Sequence, residues 1–143
     1  MHYFMNPFLI EQALVSAFTA SLAGTSLSAA TVYAGTSDQI LTPESVNLSV
    51  GVETMTPVGP GLYTSPVLIR LTAPALLGDS MYADMSAYLD VLGIITTSVS
   101  ITSNWPSGNS IGFLGSWLQE TTTGREGDQW TAEMRLLIGI GAI

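Results

Sequence analysis

Between Trp130 and Ile140 every second residue is apolar: Trp130, Ala132, Met134, Leu136, Ile138 and Ile140 alternate with Thr131, Glu133, Arg135 and Leu137. Successive side chains of a strand leave opposite faces, so this pattern buries one face. The same period runs through Val46, Leu48, Val50 and Val52, set against Asn47, Ser49, Gly51 and Glu53. It returns in Val67, Ile69, Leu71 and Ala73. Segments of this kind are satisfied together when they lie side by side in a sheet covered on one face.

The cover is predicted to be helical. Asn6-Pro7 marks a helix start, because Asn caps and Pro at the first helical position forgoes only an N–H without an intrahelical partner. Ile10, Ala13, Leu14, Ala17, Phe18 and Leu22 then share one face, with Glu11, Gln12, Ser16 and Thr19 opposite, and Gly24 is the stop. This predicts a helix over 7–23 after an extended or frayed tail at 1–5. Gly78-Asp79-Ser80 caps a second helix with Met81, Met85, Tyr88, Leu89 and Leu92 as its apolar stripe. Asp79 and Asp84 suit its early turns, and Gly93 closes it.

The remaining segments complete the order. Thr31–Ala34 reads as a short strand and 35–43 as a loop. The stretch 54–61, with two prolines and two glycines, is a turn joining the 46–53 strand to one over 62–72 in an antiparallel hairpin. Pro66 suits an edge or bulge, since it cannot donate to a ladder. The β-branched run 96–104 predicts another strand, followed by a turn at 106–109. A strand over 111–119, a polar turn at 121–127 and the alternating terminal strand follow. The prediction is one α+β domain over 1–143, in the order α-β-β-β-α-β-β-β, with two helices packed on one face of a mainly antiparallel sheet.

Charge is scarce. Charged residues make up 10% of the chain, against about 25% in an ordinary domain. The only cationic side chains besides His2 are Arg70, Arg125 and Arg135; there is no lysine, and the net charge is −8. Phosphate contacts are made chiefly by Lys and Arg, so nucleic-acid binding and attachment to anionic membrane are not expected. The mean hydropathy is nevertheless +0.42. No run of 18 apolar residues accounts for it, and 1–6 lacks the basic region of a signal peptide. A chain this apolar and this poor in charge is expected to cover surface with other subunits.

Catalytic constellations are thin. The single histidine, His2, lies in the predicted tail, and no cysteine exists for a thiolate nucleophile, disulfide or metal site. Asp79, Asp84 and Asp90 are five and six residues apart, which puts no two on one helix face. Glu126 and Asp128 lack the further ligands of a calcium loop. Gly59-Pro60-Gly61 and Gly139-Ile140-Gly141 do not lie between a strand and a helix, as phosphate loops do. Gly139 and Gly141 instead suggest a strand face close to another backbone. Trp105, Trp117 and Trp130 read as core. No enzymatic activity, cofactor or metal is expected.

The order of elements resembles the tail terminator (tail-completion) proteins of long-tailed bacteriophages. The features that carry it are the amphipathic N-terminal helix, the hairpin over 46–72, the Met81-Tyr82-Ala83-Asp84-Met85-Ser86-Ala87-Tyr88-Leu89 helix and the Asp128-Gln129-Trp130-Thr131-Ala132-Glu133-Met134-Arg135-Leu136 strand. The resemblance spans nearly the whole chain. It implies a virion protein of the tail or neck, assembled in the host cytoplasm as a ring of six copies. Such a ring caps the tail tube and meets tail tube or sheath and connector proteins. Arg70 and Arg135 stand on strands nearly free of charge, either facing solvent or pairing across a subunit boundary. Arg125, Glu53, Glu126 and Asp128 join them as candidate interface residues. Other readings are a head–tail adaptor, neck or capsid-decoration protein, a sugar- or peptide-binding module, and a pilin-like subunit suggested by Phe8-Leu9-Ile10-Glu11.

Overall fold

A computed structural model describes residues 6–35, 45–74, 79–108 and 110–142, with side chains omitted at 79–82. The expected tail at 1–5 with His2, most of the 35–43 loop, Gly78 of the second helix's cap, the Met81 side chain and Asn109 of the 106–109 turn lie outside this description.

The elements run α1 Pro7–Leu22, β1 Thr31–Ala34, β2 Asn47–Val52, β3 Thr56–Gly59, β4 Leu62–Pro74, α2 Asp79–Ile95, α3 Ser98–Asn104, β5 Ile111–Glu126 and β6 Gln129–Ala142. The sheet order is β1-β2-β4-β6-β5, with β3 paired to β4 off this path. Among the described residues only β1 and β2 are parallel; the other pairs are antiparallel. The fold is α+β, with three helices among the described residues rather than the expected two.

Register explains the core. Leu48 and Val50 stand opposite Leu71 and Ile69 on β4, and Val67, Ile69 and Leu71 stand opposite Leu136, Met134 and Ala132 on β6. The alternating residues thus share one face, and all are buried. Ile10, Leu14, Phe18 and Leu22 of α1, Met85, Leu92 and Ile95 of α2 and Ile101 of α3 close over them in a single cluster.

The predicted ends of α1 are observed. The Asn6 side chain accepts the Phe8 N–H at 3.0 Å, and Gly24 follows the Ala23 cap with φ +77°. Glu11 is a correction. It was placed on the polar side of the helix, but it is buried and accepts the Val52 N–H at 2.9 Å. Gly35 donates to Val50 O at 2.8 Å and then turns away with φ +101°. A continued parallel ladder brings Gly35 O to Val52 N; the Glu11 carboxylate meets that amide instead.

The segment 96–104, expected as a strand, is the helix α3, bent 72° from α2. Thr97 caps it, accepting from Ser100 N, and Ser103 and Asn104 return hydrogen bonds to Val99 O and Ser100 O. Burial of Ile101 outweighs the weak helix propensity of this β-branched run. The helix α2 likewise runs through Gly93 to Ile95. Two turns are tighter than expected. The 54–61 segment contains β3, and Pro60-Gly61 reverses the chain with Gly61 at φ +70°, the type II arrangement. The 121–127 segment is mostly strand: β5 continues to Glu126, and Gly127, at φ +57°, turns with Asp128. Pro66 lies just past the β2 ladder, its carbonyl accepting Glu53 N at 3.0 Å, so its missing N–H costs no ladder bond within β2.

Candidate functional site

The sheet face turned away from the helices carries the ionic residues. Alternation along β4 and β6 puts Arg70, Glu133 and Arg135 on this side, because their neighbours in each strand enter the core, and pairing with Arg135 brings Glu120 of β5 to the same side. Register then sets Arg70 opposite Glu133, and Arg135 opposite Glu120. Arg70 Nη2 donates to Glu126 Oε2 at 3.0 Å, with Nε 3.7 Å from Glu133 Oε1. Arg135 Nη1 donates to Glu53 Oε1 at 2.6 Å.

The structure therefore brings four of the six candidate interface residues into two pairs, Arg70 with Glu126 and Arg135 with Glu53. Arg125 lies elsewhere, 5.8 Å above the Trp130 ring, with its Nε donating to Gly127 O at 3.2 Å. Asp128 is exposed in the adjoining turn. Each arginine thus has a partner within its own chain.

Leu68, Glu120, Thr122, Glu133 and Arg135 line a hollow of about 160 Å³. A second, of about 180 Å³, lies between α2 and the β5–β6 hairpin and is lined by Met85, Ser86, Leu89, Thr123 and Trp130. Neither holds a histidine or cysteine, and the one arginine present already contacts Glu53. Among the described residues no group of three or more metal-ligating side chains converges. Asp84 and Asp90 are exposed on α2. Among the described residues no single helix is long and apolar enough to cross a membrane.

The tryptophans divide. Trp105 stacks on Phe113 with ring centroids 5.4 Å apart and donates from Nε1 to Ile111 O at 2.8 Å. Trp130 packs against the core cluster. Trp117, expected in the core, is 58% exposed. It stands opposite Leu137 on the ionic side of β5, beside register shifts at 113–115 and 118–120. Those irregularities hide the face of each β5 residue from a reading of alternation, which is how the exposed Leu114, Trp117 and Leu118 escape notice in the sequence. Gly139 and Gly141 face Leu62, Leu114 and Trp117 side chains of the same chain, together with the Gly61 carbonyl.

No protein-family model and no curated protein sequence matches the chain. Among solved structures it is similar to a chain of the "Virion of native gene transfer agent (GTA) particle", with TM-score 0.58 and 14% identity over 93% of this chain and 95% of that one. A further solved chain aligns over 98% of this chain and 97% of its own at 19% identity and TM-score 0.49. At these identities the likeness to the gene transfer agent chain is one of fold: the two share an α+β architecture across nearly their full lengths.

Proposed function

We propose that this protein is a structural subunit of a phage-like virion, and more narrowly a tail terminator. In that role copies close into a ring of six, cap the tail tube and meet the connector on the head side. The observation that carries the reading is the shared fold with a chain of a gene transfer agent virion, nearly end to end in both. The order of elements that resembles the terminator family supports the narrower role. A head–tail adaptor, neck or decoration protein is the nearest alternative and differs in position within the particle.

The surface chemistry supports a structural rather than catalytic role. The two hollows described hold no nucleophile–base pair, and at about 160 and 180 Å³ they fall short of the roughly 300–1,000 Å³ usual for ligand pockets. That also weighs against a sugar- or peptide-binding module. The protein is not an enzyme in this reading and uses no cofactor. With a net charge of −8 and its arginines engaged internally, a ring of it offers DNA a wall without spare cations.

Native mass spectrometry and negative-stain microscopy of the purified protein test the reading, together with detection of the protein in purified particles. A ring in solution and the protein in the tail or neck are expected. A single subunit at micromolar concentration, absent from the particle, overturns it.

A further inference from the structure

Six of the nine large apolar side chains exposed among the described residues gather along the outer margin of β5: Leu62, Ile94, Val99, Leu114, Trp117 and Leu118. Two sets of contacts hold them together. Ser116 N donates to Ser98 Oγ at 2.9 Å and Ser116 Oγ donates to Thr96 O at 2.9 Å, clasping the α2–α3 corner, with Ile94 and Val99, against the outer edge of β5. Leu118, opposite the core residue Leu136, lies on the helix side, and Trp117, opposite Leu137, on the other, so the six residues wrap around that edge. Across β6 the glycines leave a flat floor. A Cβ at Gly139 meets Leu114 Cβ at 3.6 Å and Trp117 Cζ3 at 3.9 Å, and one at Gly141 meets Leu62 Cδ2 at 3.6 Å and Leu114 Cδ1 at 3.7 Å. Leu62, Leu114 and Trp117 thus form a continuous row leading to the clasp.

We infer that this belt is the contact surface for a second copy of the chain, and that the start of α1 on the next copy covers it. The inference rests on the ring reading and names its interface. Each of the six residues keeps between 43% and 78% of its surface in water. Taking roughly 150–250 Å² for each, the range for aromatic side chains, the six leave on the order of 550–900 Å² of apolar surface exposed, summed over both sides of the β5 edge. Most of that range lies above the roughly 300–600 Å² of the largest patch on a typical monomer and reaches the about 800 Å² each partner gives a standard interface. Polyanions and anionic lipid do not fit it, because all three arginines are engaged within their own chain.

A closed ring requires two different surfaces on every subunit, since head-to-tail contacts are not self-matching. The chain carries a second one. Phe8 and Leu9 stand exposed in the first turn of α1, beside a hollow of about 220 Å³ lined by Leu9, Gln12, Ala13, Ser16 and Pro106. No charged residue lines it, which matches an uncharged belt.

The test uses Leu114→Glu and Val99→Asp on the belt and Phe8→Glu on α1. All three positions are exposed, so circular dichroism and the thermal midpoint are expected to stay near wild type. Each variant alone is expected to lose the ring. Mixing Leu114→Glu with Phe8→Glu is expected to yield a one-to-one dimer, because one intact belt remains to meet one intact α1. Folded variants that keep the ring overturn the inference while the ring reading stands. A belt variant that keeps the ring but no longer joins the tail also overturns it, and assigns the belt to another virion protein. A monomeric wild type removes the ring reading and this interface together.

Discussion

Glu11 shows how one side chain comes to serve two elements. It sits on α1, yet its carboxylate satisfies the Val52 amide at the end of β2, where β1 has already turned away. Glu11→Ala leaves that N–H buried without its partner and is expected to cost about 1–3 kcal/mol, read as a lowered urea midpoint. Glu11→Gln keeps an acceptor and is expected to lose less. The Arg135–Glu53 pair differs because its side chains remain 40% and 33% exposed. Arg135→Ala is expected to cost about 0.2–1 kcal/mol, and less as salt is added, in the same denaturation assay. Helical spacing placed Glu11 opposite the apolar stripe, since a local period cannot reveal a neighbouring strand that lacks a hydrogen-bond partner.

At the level of elements, the β5–β6 hairpin depends on a turn of two residues. Gly127 takes φ +57°, and a Cβ there has open space around it, so the obstacle to substitution is the backbone conformation. Gly127→Ala is expected to cost about 1–2 kcal/mol, the penalty of placing a side chain in the left-handed region, measured by thermal or urea unfolding. The sequence reading put a longer turn here because Thr121, Thr122, Thr123 and Gly124 look polar. They are strand residues on an exposed edge, where alternation carries no burial signal. The helix α3 is the opposite case. Its β-branched residues favour a strand, but the Thr97 cap and the buried Ile101 make it a helix.

The whole molecule combines a net charge of −8 with an apolar belt and arginines already engaged. In the proposed ring, copies repel through charge and attract through the apolar belt. Raising salt from about 0.1 to 1 M shortens the screening length from about 10 to 3 Å. The proposed ring is accordingly expected to persist or strengthen at high salt, by light scattering or native mass measured after rapid dilution. Dissociation of the ring by salt would point instead to ion pairs between subunits.

Alternation was enough to tell which apolar residues of β2, β4 and β6 enter the core, though not that Asn47 and Ser49 on the other side of β2 are buried as well. Capping residues were enough to place α1, because backbone geometry and cap chemistry act over a few neighbours. Which face held partners, and which partners, came only with the tertiary structure. Arg70 meets Glu126 across 56 residues of chain and Arg135 meets Glu53 across 82. The belt likewise joins the α2–α3 corner, the β4 start and β5, segments that become neighbours only when strand register and the Ser98–Ser116 contact bring them together. Such long-range pairings are set by how the whole chain closes its core, and no local pattern encodes them.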